Sequence, residues 1–237
     1  MTSKKNWTLR AAVLMLALVL ITSCFVGGTF AKYVTSGDAA DHARVAKWGV
    51  TVTAHGTGDV FAKSYDNTVI ANGEYKVIAP GTKKENAALV TLSGQPEVAV
   101  KVTYSAEHFS LTGKWVGDKN DTFYCPLIIK VTGKVNGTVQ TTTINCAEKN
   151  SAAEIKTAVQ NAVAACSATY APNTDLSSAA VDGEGLKISW EWPFEGTENP
   201  GQTDAKDTYL GDQAAKTSDL DVPSIYIPVT ATVTQID

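Results

Sequence analysis

The chain has 237 residues, 44% of them hydrophobic and 19% charged, with a formal net charge of −4. That length and apolar fraction fill one good hydrophobic core, so a single main domain is the default. The acidic balance, with no Lys/Arg cluster after the first ten residues, argues against nucleic acid and anionic lipid surfaces as partners.

The first predicted element, residues 1–31, is a signal peptide. Lys4, Lys5 and Arg10 precede an uncharged apolar run from Ala11 to Val26, which breaks at Gly27-Gly28 and closes in Thr29-Phe30-Ala31. A positive start, an apolar middle and a small-residue exit place the cut between Ala31 and Lys32 and make the product a secreted protein. The run is shorter than the roughly 20 residues that cross a bilayer, so membrane contact is expected only through the signal before cleavage. Ile21-Thr22-Ser23-Cys24 offers a competing exit, because it resembles a lipobox in which Cys24 is acylated. Removing residues 1–31 takes away three cations and no acid, which moves the formal charge from −4 to −7.

Residues 32–46 are polar and rich in small side chains, and read as a flexible N-terminal segment with weak structure of its own. From Trp48 the pattern becomes strict alternation, with Trp48, Val50, Val52 and Ala54 on one face and Gly49, Thr51, Thr53 and His55 on the other, as in a half-buried strand. Further strands are expected at Tyr75 to Ile78, Ala88 to Leu92 and Val98 to Tyr104. Pro80-Gly81 and Gly94-Gln95-Pro96 turn the chain between them. Tyr124 to Thr132 and Thr138 to Ile144 flank Asn136-Gly137, the dipeptide suited to a tight hairpin turn because both positions tolerate positive φ.

One helix is predicted from Ser151 to about Ser167. Ser151 and Glu154 make a capping box, and Ile155, Val159, Val163 and Cys166 fall along one stripe. Leu186 to Trp192 and Ile225 to Val233 alternate as strands, with Pro228 forcing an edge position or bulge in the second. Asp207 is expected to cap a short helical turn over residues 208–216. The whole is mostly β: an antiparallel two-sheet jelly-roll-like sandwich over residues 47–237 with one inserted α-helix.

Three cysteines follow the signal, Cys125, Cys146 and Cys166, so at most one bridge forms among them. No C-x-x-C pair suggests zinc. Cys166, on the apolar side of the predicted helix, can approach Cys146 or Cys125. Cys146 with Cys166 is carried as a possible disulfide, and the sequence does not choose.

Several segments, in order, resemble the TasA/camelysin family of exported bacterial proteins. The signal closes in Gly27-Gly28-Thr29-Phe30-Ala31, like signals handled by the SipW-type peptidase, and residues 43–54 (ARVAKWGVTVTA) resemble the family's first strand. Ala79-Pro80-Gly81, Leu89 to Leu92, Ser93-Gly94 and Val98 to Tyr104 are similar to its turn-strand-turn-strand order. Trp190-Glu191-Trp192-Pro193-Phe194-Glu195, Asp204, Asp207-Thr208-Tyr209-Leu210-Gly211 and Val229 to Gln235 resemble the C-terminal half of clostridial members. The resemblance implies a jelly-roll domain, processing by a SipW-type peptidase, and a structural subunit of biofilm-matrix fibres at the cell surface. In its fibre-forming members one subunit's N-terminal segment completes the sheet of the next, which implies a homopolymer, with an accessory matrix protein as a further partner. Here residues 32–46 would donate that strand, with Tyr33, Val34, Val45 and Trp48 as its large apolar groups.

The enzymatic and cofactor-binding alternatives lack their residues. His42, His55 and His108 form no H-E-x-x-H, no G-x-S-x-G elbow is present, and the acids from Glu195 to Asp221 do not have EF-hand spacing. A noncatalytic protein without catalytic residues, metal or cofactor is therefore expected. A monomeric surface-binding module, and then a camelysin-type protease, are the competing readings.

Overall fold

The computed structural model describes residues 5–27, 44–54, 60–65, 69–70, 76–135, 137–179, 185–194, 200–216 and 221–236. The chain divides into two compact units, Met1–Val45 and Ala46–Asp237. In the first unit, helix α1 (Lys5–Gly27) carries no acid in its first turn and no base in its last. Large apolar side chains from Trp7 to Leu20 stand exposed around it. A helix apolar on every side has no single face to lay on a globule, and suits an apolar surrounding.

The second unit is mostly β, and its sheets are antiparallel. It runs through β1 (Thr51–Ala54), β2 (Ser64–Tyr65), β3 (Val69–Ile70), β4 (Lys83–Ser93), β5 (Val100–Ser105), β6 (Ser110–Thr112), β7 (Ile128–Val135) and β8 (Thr138–Asn145). A 3-10 turn (Cys146–Glu148), α2 (Ala152–Ala165), β9 (Ala168–Tyr170), α3 (Leu176–Ala179), β10 (Leu186–Glu191), α4 (Pro200–Lys216), β11 (Ser224–Tyr226) and β12 (Thr230–Gln235) follow. One sheet has the order β1-β4-β10-β7-β8 and a second β12-β5-β9, while β11 pairs with β6 and β2 with β3.

The two larger sheets share one core. On β5, Val100, Val102 and Tyr104 are buried and alternate with exposed Lys101 and Thr103. On β10, Leu186, Ile188 and Trp190 are buried beside Ile129 and Val131 of β7. Each fully buried Leu or Ile of this kind contributes roughly 2 kcal/mol. Tyr104 reaches from its own sheet to the other: a Cβ at Gly185 would lie 2.8 Å from the Tyr104 hydroxyl and 3.0 Å from the Val90 carbonyl oxygen. A larger residue at Gly185 would therefore force the Tyr104 hydroxyl or the Val90 carbonyl to shift.

The predicted hairpin is present, with Val135 opposite Thr138 and Gly137 at φ +81°. Its first strand starts at Ile128 rather than Tyr124. The first predicted strand is shorter too, because Gly49 has φ +50° and the ladder begins only at Thr51. The reason is a backbone crossing: a Cβ at Gly94 would lie 1.8 Å from the Gly49 carbonyl oxygen. Of the strand expected at Tyr75 to Ile78, Tyr75 lies outside the described residues and residues 76–78 are irregular, leading into the Pro80-Gly81 turn, where the Gly81 N–H donates to the Trp192 carbonyl at 2.8 Å. The C-terminal run divides around Pro228, so β11 pairs with β6 and β12 with β5. A proline suits that gap, since it donates to neither ladder. Asp207 caps no helix; it lies in the middle of α4, buried.

Candidate functional site: open sheet margins and their supports

The margins of the larger sheets are β1 and β8 in one and β12 and β9 in the other, and among the described residues no strand pairs with their outer sides. Their sequences, TVTA, TVQTTTIN, ATY and TATVTQ, contain neither charge nor proline. Edge strands that stay single are commonly blunted by Lys, Pro or a bulge, because unpaired N–H and C=O groups template another strand. These four margins lack charge and proline within their strands.

β8 is the longest of the four. It pairs with β7 at every position from Ile128 opposite Asn145 to Val135 opposite Thr138, with no bulge. Residues 138–143 are exposed, Val139 among them, and the Thr132 and Thr141 hydroxyls meet at 2.9 Å across the pair. The result is an uncharged edge in strict register.

Its inner side is held firmly. Helix α2 packs against β5, β6, β7 and β8 and buries Ile155, Val159 and Val163 completely. The helix starts as its sequence requires: Ser151 Oγ accepts from the Glu154 N–H at 3.3 Å, and Glu154 Oε2 accepts from the Asn150 N–H at 3.1 Å. At its far end Cys166 seats over Gly133 of β7, where a Cβ would lie 2.6 Å from the Cys166 Cβ. Tyr170 of β9 adds a hydroxyl donated to the Lys134 carbonyl at 3.4 Å.

Cys125, Cys146 and Cys166 are free, buried thiols. Cys166 is not beside Cys146. Its Sγ donates to the Ala162 carbonyl at 3.4 Å, and burial pushes the thiol up to about 11. Cys146, at the start of the 3-10 turn, instead has its thiol within hydrogen-bonding reach of Cys125, and that contact together with burial raises it well above the ordinary thiol range. The expected Cys146–Cys166 pairing is thus replaced by Cys146 beside Cys125, because the last turn of α2 aims Cys166 at β7. Cys24 belongs to α1, in the other unit.

Of the candidate donor residues, Val45 and Trp48 are described, and both are exposed and outside any strand. Lys47 is pinned beside them: the Glu97 N–H donates to its carbonyl at 3.0 Å, and its own N–H donates to Glu97 Oε2 at 2.9 Å. Ala31, Lys32, Tyr33 and Val34 lie outside the described residues.

A polar cluster that sequence reasoning missed ties α4 to the sheets. The Tyr124 hydroxyl donates to Asp207 Oδ1 at 2.7 Å, and Lys206 Nζ stands 5.4 Å from the Tyr124 ring centre. Burial raises the Asp207 carboxyl above its usual range despite the Tyr124 hydroxyl and the neighbouring Trp192 indole, which favour the ionised form. Neither Asp207 Oδ2 nor Trp192 Nε1 closes a hydrogen bond. The Tyr124 phenol is raised by burial and then by that carboxylate. Trp190, by contrast, donates its indole N–H to the Val60 carbonyl at 2.7 Å and packs against Phe61 and Tyr65, as a core residue does.

On the outer face of β4, β10 and β7 lies a shallow hollow of about 220 Å³. It is lined by Lys83, Glu85, Lys130 and Glu191. Lys83 pairs with Glu85 at 2.9 Å and Lys130 with Glu191 at 3.7 Å, and Lys84 also lines the hollow, so its charged groups are already largely matched among themselves. Among the described residues no group of three or more His, Cys, Asp or Glu side chains could hold a metal ion. No protein-family model, no curated protein and no solved structure matches this chain.

Proposed function

We propose that the chain is an exported, noncatalytic structural subunit, a jelly-roll sandwich that polymerises by strand addition after cleavage between Ala31 and Lys32. The observation that carries this reading is β8: eight residues, in unbroken register, without charge or proline, and without a described neighbour on its outer side. The segment freed by cleavage, residues 32–46, leads into β1, at the opposite edge of the same sheet. A donor at one edge and an acceptor at the other make a head-to-tail contact, and such contacts repeat into open filaments unless the rotation closes a ring.

Magnitudes define what the donor must supply. A strand of this length turns roughly four N–H and four C=O groups outward. At about 1 kcal/mol net for each hydrogen bond, the edge offers about 8 kcal/mol. Association alone costs about 4–15 kcal/mol. Backbone pairing is therefore marginal by itself, and the apolar groups Tyr33, Val34, Val45 and Trp48 must add buried area. Export through α1 and its positive flank, a SipW-type peptidase, and a cell-surface or matrix destination complete the proposal, with an accessory matrix protein as a further partner.

The test is electron microscopy and sedimentation of two forms. Protein beginning at Lys32 is expected to form filaments, and protein beginning at Ala46 to remain monomeric. The same behaviour from both removes the donor segment from the mechanism.

A further inference from the structure

We propose that Cys125 and Cys146 form an intramolecular disulfide, and that Cys166 remains a thiol. Both cysteines are completely buried in the same core. Their backbones are fixed by neighbouring hydrogen bonds: the Tyr124 N–H donates to the Trp115 carbonyl at 2.9 Å, and the Cys146 N–H donates to the Leu127 carbonyl at 2.9 Å. The β7–β8 ladder reaches Ile128 opposite Asn145 and continues through that Leu127–Cys146 bond, which brings Cys125, two residues before Leu127, to the same buried foot of the hairpin as Cys146. A bridge needs neighbouring Cβ atoms, and two cysteines flanking one hydrogen-bonded backbone pair are close enough for the folding chain to bring them together. Cys166 is occupied elsewhere, seated over Gly133 and donating to the Ala162 carbonyl.

The chemistry is thiol–disulfide exchange with a small-molecule or oxidoreductase disulfide. One cysteine thiolate attacks a sulfur of that disulfide and releases a thiol; the second cysteine thiolate then attacks the mixed disulfide and releases the other. The two cysteines are oxidised, the external disulfide is reduced to two thiols, and the protons lost by the cysteines are taken up by the released thiolates. Because both sulfurs are sealed from solvent, the exchange belongs to folding, before the core closes. The bridge rests on the export half of the proposed function, since such bonds persist outside the cytoplasm; it does not rest on polymerisation. It would close the open end of the hairpin whose outer strand is the proposed acceptor.

The experiment uses the full chain with Cys24→Ala, purified in mild detergent, reduced, unfolded, and refolded in a mixture of reduced and oxidised glutathione. After acid quenching, alkylation in denaturant and digestion, mass spectrometry is expected to find one alkylated cysteine, Cys166. It should also find a linked peptide pair containing Cys125 and Cys146, about 2 Da lighter than the two reduced peptides. Adding Cys166→Ala should leave that link in place. Three alkylated cysteines, or a link that contains Cys166, would overturn the proposal. Because refolding is done outside the cell, the result does not depend on whether filaments form.

Discussion

The five-stranded sheet ends in two unlike margins. β8 is eight residues long, flush with β7 throughout, and backed by a capped helix with a fully buried stripe. β1 is four residues long, is reached through Gly49 at positive φ, and borders β4, whose ladder with β10 shifts register between Leu186 and Lys187 and again between Ile188 and Trp190. The long margin, in unbroken register, is the proposed acceptor. The short one is continuous with the segment that would be given.

Charging each margin in turn is the strongest way to break this comparison. Val139→Lys with Thr141→Lys on β8 should abolish filaments seen by electron microscopy. Both positions are exposed, but Val139 stands opposite Lys134 and Thr141 bonds Thr132 across the pair, so the melting temperature should reflect a loss of no more than about 2 kcal/mol, too little to unfold the strand. Val52→Lys on β1 should leave filaments intact, and loss from both margins alike would erase the distinction between acceptor and donor edges. Next in size is the support beneath β8. Ile155→Ala removes a completely buried side chain and should cost about 3 kcal/mol in urea unfolding. A loss below 1 kcal/mol would mean that α2 does not brace the margin.

The smallest effect lies far from both edges and sharpens the contrast between apolar and polar supports. Burial raises Asp207, so the folded chain holds that proton more tightly than the unfolded chain does. The resulting stability is present below the ordinary carboxylate range and is lost as pH rises through the raised folded value. Relative to Asp207→Asn, the native chain should therefore melt progressively lower as pH climbs from about 4 towards 7, a window starting at the ordinary carboxylate pKa. A pH-independent difference between the two would show that the carboxyl is not shifted.

What the sequence revealed was local chemistry. The Asn136-Gly137 turn, the Ser151/Glu154 box and the alternation of Val100, Val102 and Tyr104 each act over a few residues, and each is found where the pattern places it, within a residue or two at the ends. What escaped was decided by distant partners. Trp48 leaves the ladder because Gly49 and Gly94 cross closely, a contact between segments far apart in the chain. Helix α4 was read only as a short turn over 208–216 capped by Asp207, because its inward stripe includes that residue beside Leu210, and a carboxylate at a core position breaks the apolar periodicity. Where Cys166 sits needed the aim of the last turn of α2, which no spacing rule contains. The margins were the least legible feature of the candidate site. Their composition can be read from the chain, but which strands stand outermost follows only from the assembled order of the sheets.

The exchange of sheets around Pro228 also bears on when the molecule can fold. β5 lies between β9 and β12, so the layer that closes the core joins residues 100–105 to residues 230–235. A ribosome must make residues 230–235 before that layer exists, and pairings so distant in sequence form slowly. The three-stranded wall is thus slow to close, and its closure waits on a strand that lies far along the chain from β5.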